Sequence, residues 1–244
     1  MSRGFFITGT DTDVGKTVIT AGLLAVLRER GHDIGLMKPF QTDFIEKDGE
    51  ILSPDLEYVL RFVDIDTDYD LMNPIRLREP LAPSVAAEVE GIEIDLTKVD
   101  RAYEELLTIH RGLIVEGAGG LMVPLTKDFL IPDLIKKLDL PLIIVARPNL
   151  GTINHTVLTV KVARQLGIEV LGVIINGFKE EEAGIAEETN PEVIAELADV
   201  DILGIIPYIE GLDSGCEKVD LAKVFEENVE IDKIIDSLQC IVDS

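Results

Sequence analysis

The stretch Gly9–Thr17, with the sequence GTDTDVGKT, decides the fold of this chain. It follows a short apolar run, Gly4–Thr8, and leads into a long apolar pattern of helical period that begins at Val18. A strand, a glycine-bearing loop and the tripeptide GKT at the start of a helix are typical of a phosphate-binding loop. In such a loop, backbone N–H groups and the positive end of the helix converge on an anion. We therefore predict a nucleotide phosphate site here.

The loop departs from the common phosphate-loop pattern by one residue. The pattern G-x-x-x-x-G-K-[ST] requires glycine where Thr10 stands, and Gly9 lies one position too early. The alternative is an ordinary strand–turn–helix corner with a solvated lysine. The context on both sides favours the nucleotide site, in which Lys16 supplies a charge and Thr17 a hydroxyl group for magnesium.

Composition and charge exclude several classes of function. The chain has 244 residues, of which 46% are hydrophobic and 28% charged, so a sizeable core is available. Its net charge of −24 argues against a nucleic-acid partner, because a polyanion would be repelled. We find no signal-peptide pattern and no apolar stretch of the roughly 18 residues that a membrane span needs.

Cys216 and Cys240 have no disulfide or metal-site spacing. We expect free thiols, no membrane partner and a cytoplasmic protein.

Apolar runs of strand length alternate with helical patterns along the chain. The runs are nearly continuous in Val, Ile and Leu, as in a parallel sheet that is covered on both faces. The predicted strands are 4–8, 34–38, 112–116, 141–146, 170–175 and 202–206, and the predicted helices are 16–30, 54–63, 95–109, 131–138, 153–166 and 190–198. Connections of this length join parallel neighbours. The pattern predicts a doubly wound α/β fold with a mainly parallel sheet. We expect a single domain, 1–244, with its core at 3–209 and C-terminal helices at about 217–242.

Ligands of such a sheet bind beyond the carboxyl ends of its strands. The stretches at these ends are nearly all polar, rich in glycine or both, whereas the opposite ends carry acidic loops. The candidates are Gly9–Thr17, Lys38–Thr42, Glu116–Gly120, Arg147–Asn154, Asn176–Gly177 and Pro207–Ile209.

Three charged residues outside the loop are candidates for the chemistry. Lys38 ends a predicted strand, where it is either a surface lysine or a second cation in the crevice of Lys16. Asp55 follows Ser53–Pro54, which suit the N-cap and first position of a helix. It would then complement the helix dipole or bind magnesium. Glu116 ends a buried run beside the loop, where a carboxylate can hold a divalent cation.

The run Asp64–Asp70 carries an aspartate at every second position, as a calcium loop does. It lacks the glycine and the closing glutamate of that motif. We therefore expect a solvated acidic loop.

Several of these stretches together resemble the dethiobiotin synthetase family. The likeness runs in register from Arg3 to about Ile209 and rests on Thr8–Thr17, Lys38–Pro39, Asp55, Val115–Gly120 and Leu150–His155. The phosphate loop of this family carries the extra residue. The resemblance implies a fold of the P-loop nucleoside triphosphatase type and an ATP- and Mg²⁺-dependent ligase of biotin biosynthesis. Such a ligase closes the ureido ring of dethiobiotin from 7,8-diaminononanoate and carbon dioxide, through a carbamate and a carbamic–phosphoric anhydride.

The resemblance also implies roles for individual residues. The catalytic lysines would be Lys38 and Lys16, and the magnesium ligands would be Thr17, Asp55 and Glu116. ATP would be bound by Asp13, Val14, Gly15, Lys16, Thr17, Val18, Asp55, Glu116, Gly117, Ala118, Gly119, Asn176, Pro207, Tyr208 and Ile209, with Asn176 and Pro207–Ile209 around the adenine. Thr12 and Thr42 would line the diamine site. Family members are homodimers, so Gly151 and Asn154 would bind the substrate in the neighbouring subunit's site.

Three other classes of protein share parts of this pattern. Cobyrinic acid a,c-diamide synthases have the same ATP domain but carry a glutamine-hydrolysing domain, for which this chain is too short. P-loop switch ATPases of chromosome partition and septum placement have a loop lysine where Asp11 stands here, and a basic amphipathic tail. A regulatory nucleotide-binding domain of an acetyltransferase would lack the pair Lys38 and Asp55.

Overall fold

The structure, a computed structural model, describes residues 3–212 and 219–238. Its strands are β1 (Gly4–Gly9), β2 (Ile34–Met37), β3 (Phe40–Gln41), β4 (Ile45–Lys47), β5 (Glu50–Leu52), β6 (Ile75–Arg76), β7 (Gly112–Gly120), β8 (Leu142–Ala146), β9 (Val170–Phe178) and β10 (Ile202–Pro207). Its helices are α1 (Lys16–Glu29), α2 (Pro54–Leu60), α3 (Tyr69–Met72), α4 (Pro83–Glu90), α5 (Leu96–Ile109), α6 (Ile131–Leu138), α7 (Thr152–Gln165), α8 (Ile185–Ala198), α9 (Leu221–Asn228) and α10 (Ile231–Ser237).

A six-stranded parallel sheet forms the centre of the molecule. Its strand order is β10-β9-β8-β1-β7-β2, and every neighbouring pair is parallel. Both neighbours of β1, namely β7 and β8, come much later in the chain. The loop after β1 therefore lies between the carboxyl ends of two other strands, which is the position at which such sheets bind ligands.

The buried faces of the sheet explain why its strands were predictable. Phe5, Phe6 and Ile7 of β1 have no exposed surface, and all of β8 is buried. Strands covered on both faces need apolar residues at successive positions rather than at alternate ones. All six predicted strands are confirmed, and so is the α/β fold class. Strands β7 and β9 extend further than predicted, because pairing continues through glycines such as Gly120, which pairs with Gly9.

The structure corrects the prediction in two regions. Between residues 40 and 91 the sequence analysis predicted only one helix, 54–63, and it missed β3 to β6, α3 and α4. These elements have two to eight residues, too few to show a clear period. Helix α8 begins at Ile185 rather than 190, so Pro191 lies inside the helix. The N–H of Gly184, just before this helix, donates to the carboxylate of Glu187 at 3.0 Å.

The four aspartates of the run Asp64–Asp70 are exposed, as predicted, and two of them have structural partners. The carboxylate of Asp68 accepts from the N–H of Asp70 at 2.8 Å and caps α3. Asp70 forms an ion pair with Arg76. The last residues of the run therefore form the N-cap and the first turn of α3.

The C-terminal helices lie along the β10 edge of the sheet. The N–H of Glu230 donates to the carbonyl of Leu203 at 2.7 Å, and Val229 forms an antiparallel bridge with Gly204. The ring of Phe225 packs where a Cβ atom on Gly22 would stand, only 2.0 Å away. This contact joins α9 to α1.

Residues Cys216 and Cys240 lie outside the described residues, as do the ends of the predicted region 217–242. Within the described residues, no helix is both long enough and apolar enough to cross a membrane.

Candidate active site

The loop between β1 and α1 turns through two residues in the left-handed region of backbone space. Asp13 has φ 56° and Gly15 has φ 91°. A Cβ atom on Gly15 would lie 1.9 Å from Nδ2 of Asn176, so only glycine fits there without displacing that side chain. The amide of Asn176 in turn donates to the carbonyl of Val14 at 3.1 Å. The end of β9 therefore fixes the loop.

Lys16 is buried at the start of α1, with 7% of its surface exposed. Its ammonium group donates to the carbonyl of Asp11 at 3.4 Å. Burial lowers the pKa of Lys16, and the nearby positive charge of Lys38 lowers it further. A lysine desolvated in this way gains from any anion that enters the loop.

Lys38 is buried and lies at the centre of a cluster of charges. Its ammonium group is 2.6 Å from Oδ2 of Asp55 and 2.7 Å from Oε1 of Glu116, and it donates to the carbonyl of Gly117 at 2.9 Å. The hydroxyl of Thr17 donates to the same Oε1 of Glu116 at 3.0 Å. The structure therefore brings together four of the predicted ATP-binding positions, Thr17, Asp55, Glu116 and Gly117, and the predicted catalytic lysine.

The charges in this cluster shift one another's pKa. Burial alone would lower the pKa of Lys38, but the carboxylates of Asp55 and Glu116 outweigh burial and raise it. Burial would likewise raise the pKa of Asp55, and the charge of Lys38 outweighs it and lowers the pKa. Lys38 and Asp55 are therefore held in their charged forms, as P-loop electrostatics requires.

Backbone anchors hold this cluster in place. Ser53 caps α2 by accepting from the N–H of Leu56 at 3.1 Å, which places Asp55 in the first turn as predicted. The N–H of Lys38 donates to the carbonyl of Met72 at 2.7 Å, and the amide of Asn73 donates to the carbonyl of Lys38 at 2.5 Å. The contact from Asn73 was not predicted, because nothing in its local sequence indicates it.

The donor set of Thr17, Asp55 and Glu116 fits magnesium. All three supply oxygen atoms, and Mg²⁺ is usually bound through one or two carboxylates together with the phosphates of a substrate. In the part of the chain that the structure describes, no group of three histidine, cysteine or acidic side chains could hold a metal ion. A two-carboxylate site completed by a nucleotide is consistent with that finding.

The predicted adenine residues lie at the ends of two neighbouring strands. Pro207 pairs with Phe178, two residues after Asn176, and the N–H of Tyr208 donates to the carbonyl of Phe178 at 2.7 Å. The ammonium group of Lys179 lies 4.7 Å from the centre of the Tyr208 ring. Ile209 follows, half-buried against the core. These residues adjoin the loop through Asn176.

A cavity of about 410 Å³ opens on the other side of the loop. It is lined by Thr10, Asp11, Thr12, Gly120, Leu121, Met122, Val123, Leu158, Thr159 and Val162. Asp11 shares its carboxylate between the N–H of Thr12 and the guanidinium of Arg147, each at 2.8 Å. This ion pair was not predicted, although Arg147 begins one of the strand-end stretches and directly follows β8.

The remaining predicted residues are distributed over α1, β7, the segment after β3 and the start of α7. Val18 is half-buried in α1 beside Thr17, and Ala118 and Gly119 follow Gly117 on β7, with Gly119 at φ 66°. Thr42 is half-buried after β3. Gly151 and Asn154 are exposed at the start of α7 and are not among the residues that line the cavity.

The fold and the site are those of a P-loop nucleotide-binding protein. They combine a parallel sheet, a glycine-bearing loop before α1, and a lysine and two carboxylates beside that loop. A protein-family model described as AAA domain matches residues 3–215. The ATP-dependent dethiobiotin synthetase of Thermodesulfovibrio yellowstonii is 42% identical over 242 residues, covering 96% of this chain and 99% of the relative. That of Methanococcus vannielii is 46% identical over 201 residues, covering 82% and 92%. The chain belongs to the ATP-dependent dethiobiotin synthetase family.

Solved structures of switch ATPases share the fold. The cell division protein MinD of Aquifex aeolicus has a TM-score of 0.55 at 18% identity and covers 98% of both chains. A ParA family ATPase of Chlorobium tepidum has a TM-score of 0.52 at 18% identity, covering 98% of this chain and 99% of that one. At such identities the likeness concerns the fold alone.

Proposed function

We propose that this chain is an ATP-dependent dethiobiotin synthetase, a ligase of biotin biosynthesis that closes a ureido ring from 7,8-diaminononanoate and carbon dioxide. The observation that carries the proposal is the cluster of Lys38, Asp55, Glu116 and Thr17 beside the phosphate loop, in which Lys38 and Glu116 are buried. Family membership supplies the substrates, and the cluster supplies cations and carboxylates where phosphoryl transfer needs them.

The reaction has three bond-forming steps. One amine of the diamine attacks carbon dioxide and loses a proton, which gives a carbamate. A carbamate oxygen then attacks the γ-phosphorus of ATP, the bond to the β-phosphate oxygen breaks, and ADP leaves. Finally, the second amine attacks the carbonyl carbon of the anhydride and loses a proton, the C–O bond breaks, and phosphate is released with the ring closed.

Negative charge accumulates on the carbamate, the transferring phosphoryl group and the leaving ADP. We assign Lys16 to the phosphates, because it lies in the loop, and Lys38 to the carbamate and γ-phosphate, because it lies beside the loop. Fixed charges that stabilise such a transition state typically contribute two to three orders of magnitude in rate, roughly 10²–10³-fold.

We assign Thr17, Asp55 and Glu116 to magnesium. When bound, the ion would neutralise charge on the β- and γ-phosphates of ATP. The residues Asp13 to Val18 and Glu116 to Gly119 would surround the phosphates, with Asn176 and Pro207–Ile209 around the adenine. The N–H groups of the loop and of the first turn of α1 favour an anion at this position.

We further propose a homodimer in which two subunits complete each diamine site. Thr12 lines the 410 Å³ cavity, and Met122 and Leu158, which also line it, expose 54% and 55% of their surface. Apolar residues gathered at such exposure are typical of an interface. Gly151 and Asn154, at the N-terminal end of α7, would then bind the substrate carboxylate in the partner's site, where Thr42 is the remaining contact.

We treat residues 1–244 as one ATP-binding domain with its core at 3–209. Because ATP is a co-substrate, we place the reaction in the cytoplasm. A switch ATPase of the MinD or ParA kind is not favoured, since Asp11 of this loop is paired with Arg147 and contributes no cation.

The proposal is tested by mass spectrometry of the products formed from the diamine, ATP, Mg²⁺ and bicarbonate. We expect dethiobiotin, with one ADP and one phosphate released for each ring closed. Omission of the diamine is the matched control and should abolish phosphate release. Phosphate release that is independent of the diamine, or the absence of a ring-closed product, would contradict the proposal.

A further inference from the structure

The ammonium group of Lys38 has no hydrogen-bond donor left for a substrate. An ammonium group has three N–H donors and no acceptor. Those of Lys38 have three partners, namely Asp55 Oδ2, Glu116 Oε1 and the carbonyl of Gly117, at 2.6, 2.7 and 2.9 Å. Only 4% of the residue's surface is exposed. In this arrangement Lys38 cannot also bind a carbamate or a phosphate.

The same two carboxylates are the ones that the proposed function assigns to magnesium. The third proposed ligand, the hydroxyl of Thr17, donates to the same oxygen of Glu116 that Lys38 contacts. The lysine therefore neutralises the atoms that a divalent cation would neutralise. Two cations competing for one pair of carboxylates repel each other strongly when the site is shielded from water.

We propose that Lys38 and the divalent cation exchange at Asp55 and Glu116. Lys38 holds the two carboxylates until the cation binds, and cation binding then releases the ammonium group to the carbamate and the γ-phosphate. This inference rests on the proposed function, because it takes its metal ligands from there. The ammonium group of Lys38 then has free N–H donors only after the cation has bound.

The backbone around Lys38 suits an exchange that moves the side chain alone. The N–H of Lys38 is bonded to the carbonyl of Met72, and its carbonyl accepts from the amide of Asn73. Pro39, the next residue, restricts the backbone further. A lysine side chain has a flexible four-carbon stem, so its ammonium group can leave the carboxylates while the backbone stays in place.

The first test is calorimetric titration of Mg²⁺ into the nucleotide-free protein and two variants. Lys38→Met removes the competing ammonium group but keeps an apolar stem. We expect it to tighten Mg²⁺ binding on the order of 100-fold, because the buried carboxylate of Glu116 and the half-buried carboxylate of Asp55 lose their partner. The matched control is Lys16→Met, which removes an equal charge from the same site without freeing a carboxylate. It should tighten binding by less than about tenfold.

Two outcomes of the titration would overturn the exchange. One is an unchanged or weaker Mg²⁺ affinity in Lys38→Met. The other is an equal gain in both variants, which would mean that net charge alone sets the affinity. Circular dichroism and unfolding curves show whether each variant is folded.

The second test uses the unaltered protein, so it does not depend on the folding of a variant. Lysines are acylated briefly with and without Mg²⁺, and the modified residues are quantified by mass spectrometry. We expect the acylation of Lys38 to rise several-fold with Mg²⁺, whereas Lys137, in a surface ion pair with Asp100, stays unchanged. Equal or lower acylation of Lys38 at saturating Mg²⁺ would overturn the exchange. Neither test contains the diamine, so failure of the exchange and failure of dethiobiotin formation are separate results.

Discussion

The two ends of the central sheet both carry buried polar groups, but they use them differently. At the amino ends of the strands, the guanidinium of Arg3 donates to the carbonyls of Leu107, His110 and Arg111. The imidazole of His110 lies between the carboxylate of Asp33 at 2.8 Å and the hydroxyl of Thr67 at 2.9 Å. At the carboxyl ends, a lysine and two carboxylates contact one another.

The difference separates groups that stabilise the fold from groups available for chemistry. Arg3 bonds to backbone carbonyls, and His110 joins the segment before β2 to the segment before α3. The backbone carbonyls that Arg3 contacts are fixed by the fold. The partners of Lys38 are mainly side-chain charges that a ligand can replace, and the neighbouring backbone is glycine, which allows close approach. We therefore expect changes at one end to alter turnover and changes at the other end to alter stability.

The largest expected effect is that of Lys38→Ala on turnover. This change removes the cation assigned to the transferring phosphoryl group, so kcat should fall by about 10²–10³-fold. ATP should still bind, because Lys16 and the loop are unaltered. Steady-state kinetics and ATP titration test both statements. An unchanged kcat would remove Lys38 from the mechanism.

A substitution in the loop itself should act mainly on nucleotide affinity. In Gly15→Ala the new Cβ would displace Asn176, and a residue with φ 91° is strained by about 1–3 kcal/mol. We expect ATP to bind roughly 10- to 100-fold more weakly in equilibrium titrations. The matched control is Gly167→Ala, at φ 80° with no atom within 4 Å of its Cβ. It should lose stability only, and equal losses of ATP affinity would contradict our account of the loop.

Replacement of the Glu116 carboxylate with an amide should raise the Mg²⁺ concentration that turnover requires. Glu116→Gln keeps the shape of the side chain and removes its charge, which weakens a hard-cation site. We expect the Mg²⁺ concentration for half-maximal turnover to rise by about tenfold, as is typical when charge is lost near a metal. A Mg²⁺ titration identical to that of the unaltered protein would contradict the assignment.

The smallest effect on catalysis is expected at the opposite end of the sheet. His110→Ala removes two part-buried hydrogen bonds and should lower the free energy of unfolding by about 1–3 kcal/mol, with kcat unchanged. Urea unfolding and kinetics at a temperature where the variant is folded measure the two quantities. Thr67→Val, which breaks only one of these hydrogen bonds, is the control and should cost about half as much. A fall in kcat for His110→Ala would break the contrast between the two ends.

Most of the fold could be predicted from the sequence, because its strands and helices either have long apolar patterns or carry two independent signals for the same boundary. The strand β8 is apolar at every position, and α5 shows its period over fourteen residues. The helix start at Pro54 was predictable because proline suits the first helical position and Ser53 precedes it as a cap. The region between residues 40 and 91 was not, because its elements are too short to show a period and depend on contacts with β2 and β7.

The site was predictable in its members but not in its contacts. Strand ends point to Lys38, Glu116 and the loop, because parallel strands end at one edge. The three N–H donors of the Lys38 ammonium group are all used by Asp55, Glu116 and Gly117. These contacts depend on side-chain positions that no local sequence pattern encodes. The pair of Asp11 and Arg147 is of the same kind, since its members are 136 residues apart.

The contact between Gly22 and Phe225 restricts which substitutions this sequence can accept during evolution. A glycine inside a helix lowers stability by about 1 kcal/mol relative to alanine, yet here it leaves room for an aromatic ring from α9. Any larger residue at position 22 would displace the ring, and any smaller residue at position 225 would leave a void against α1. The two positions are therefore free to vary only together, so descendants of this sequence should change them as a pair.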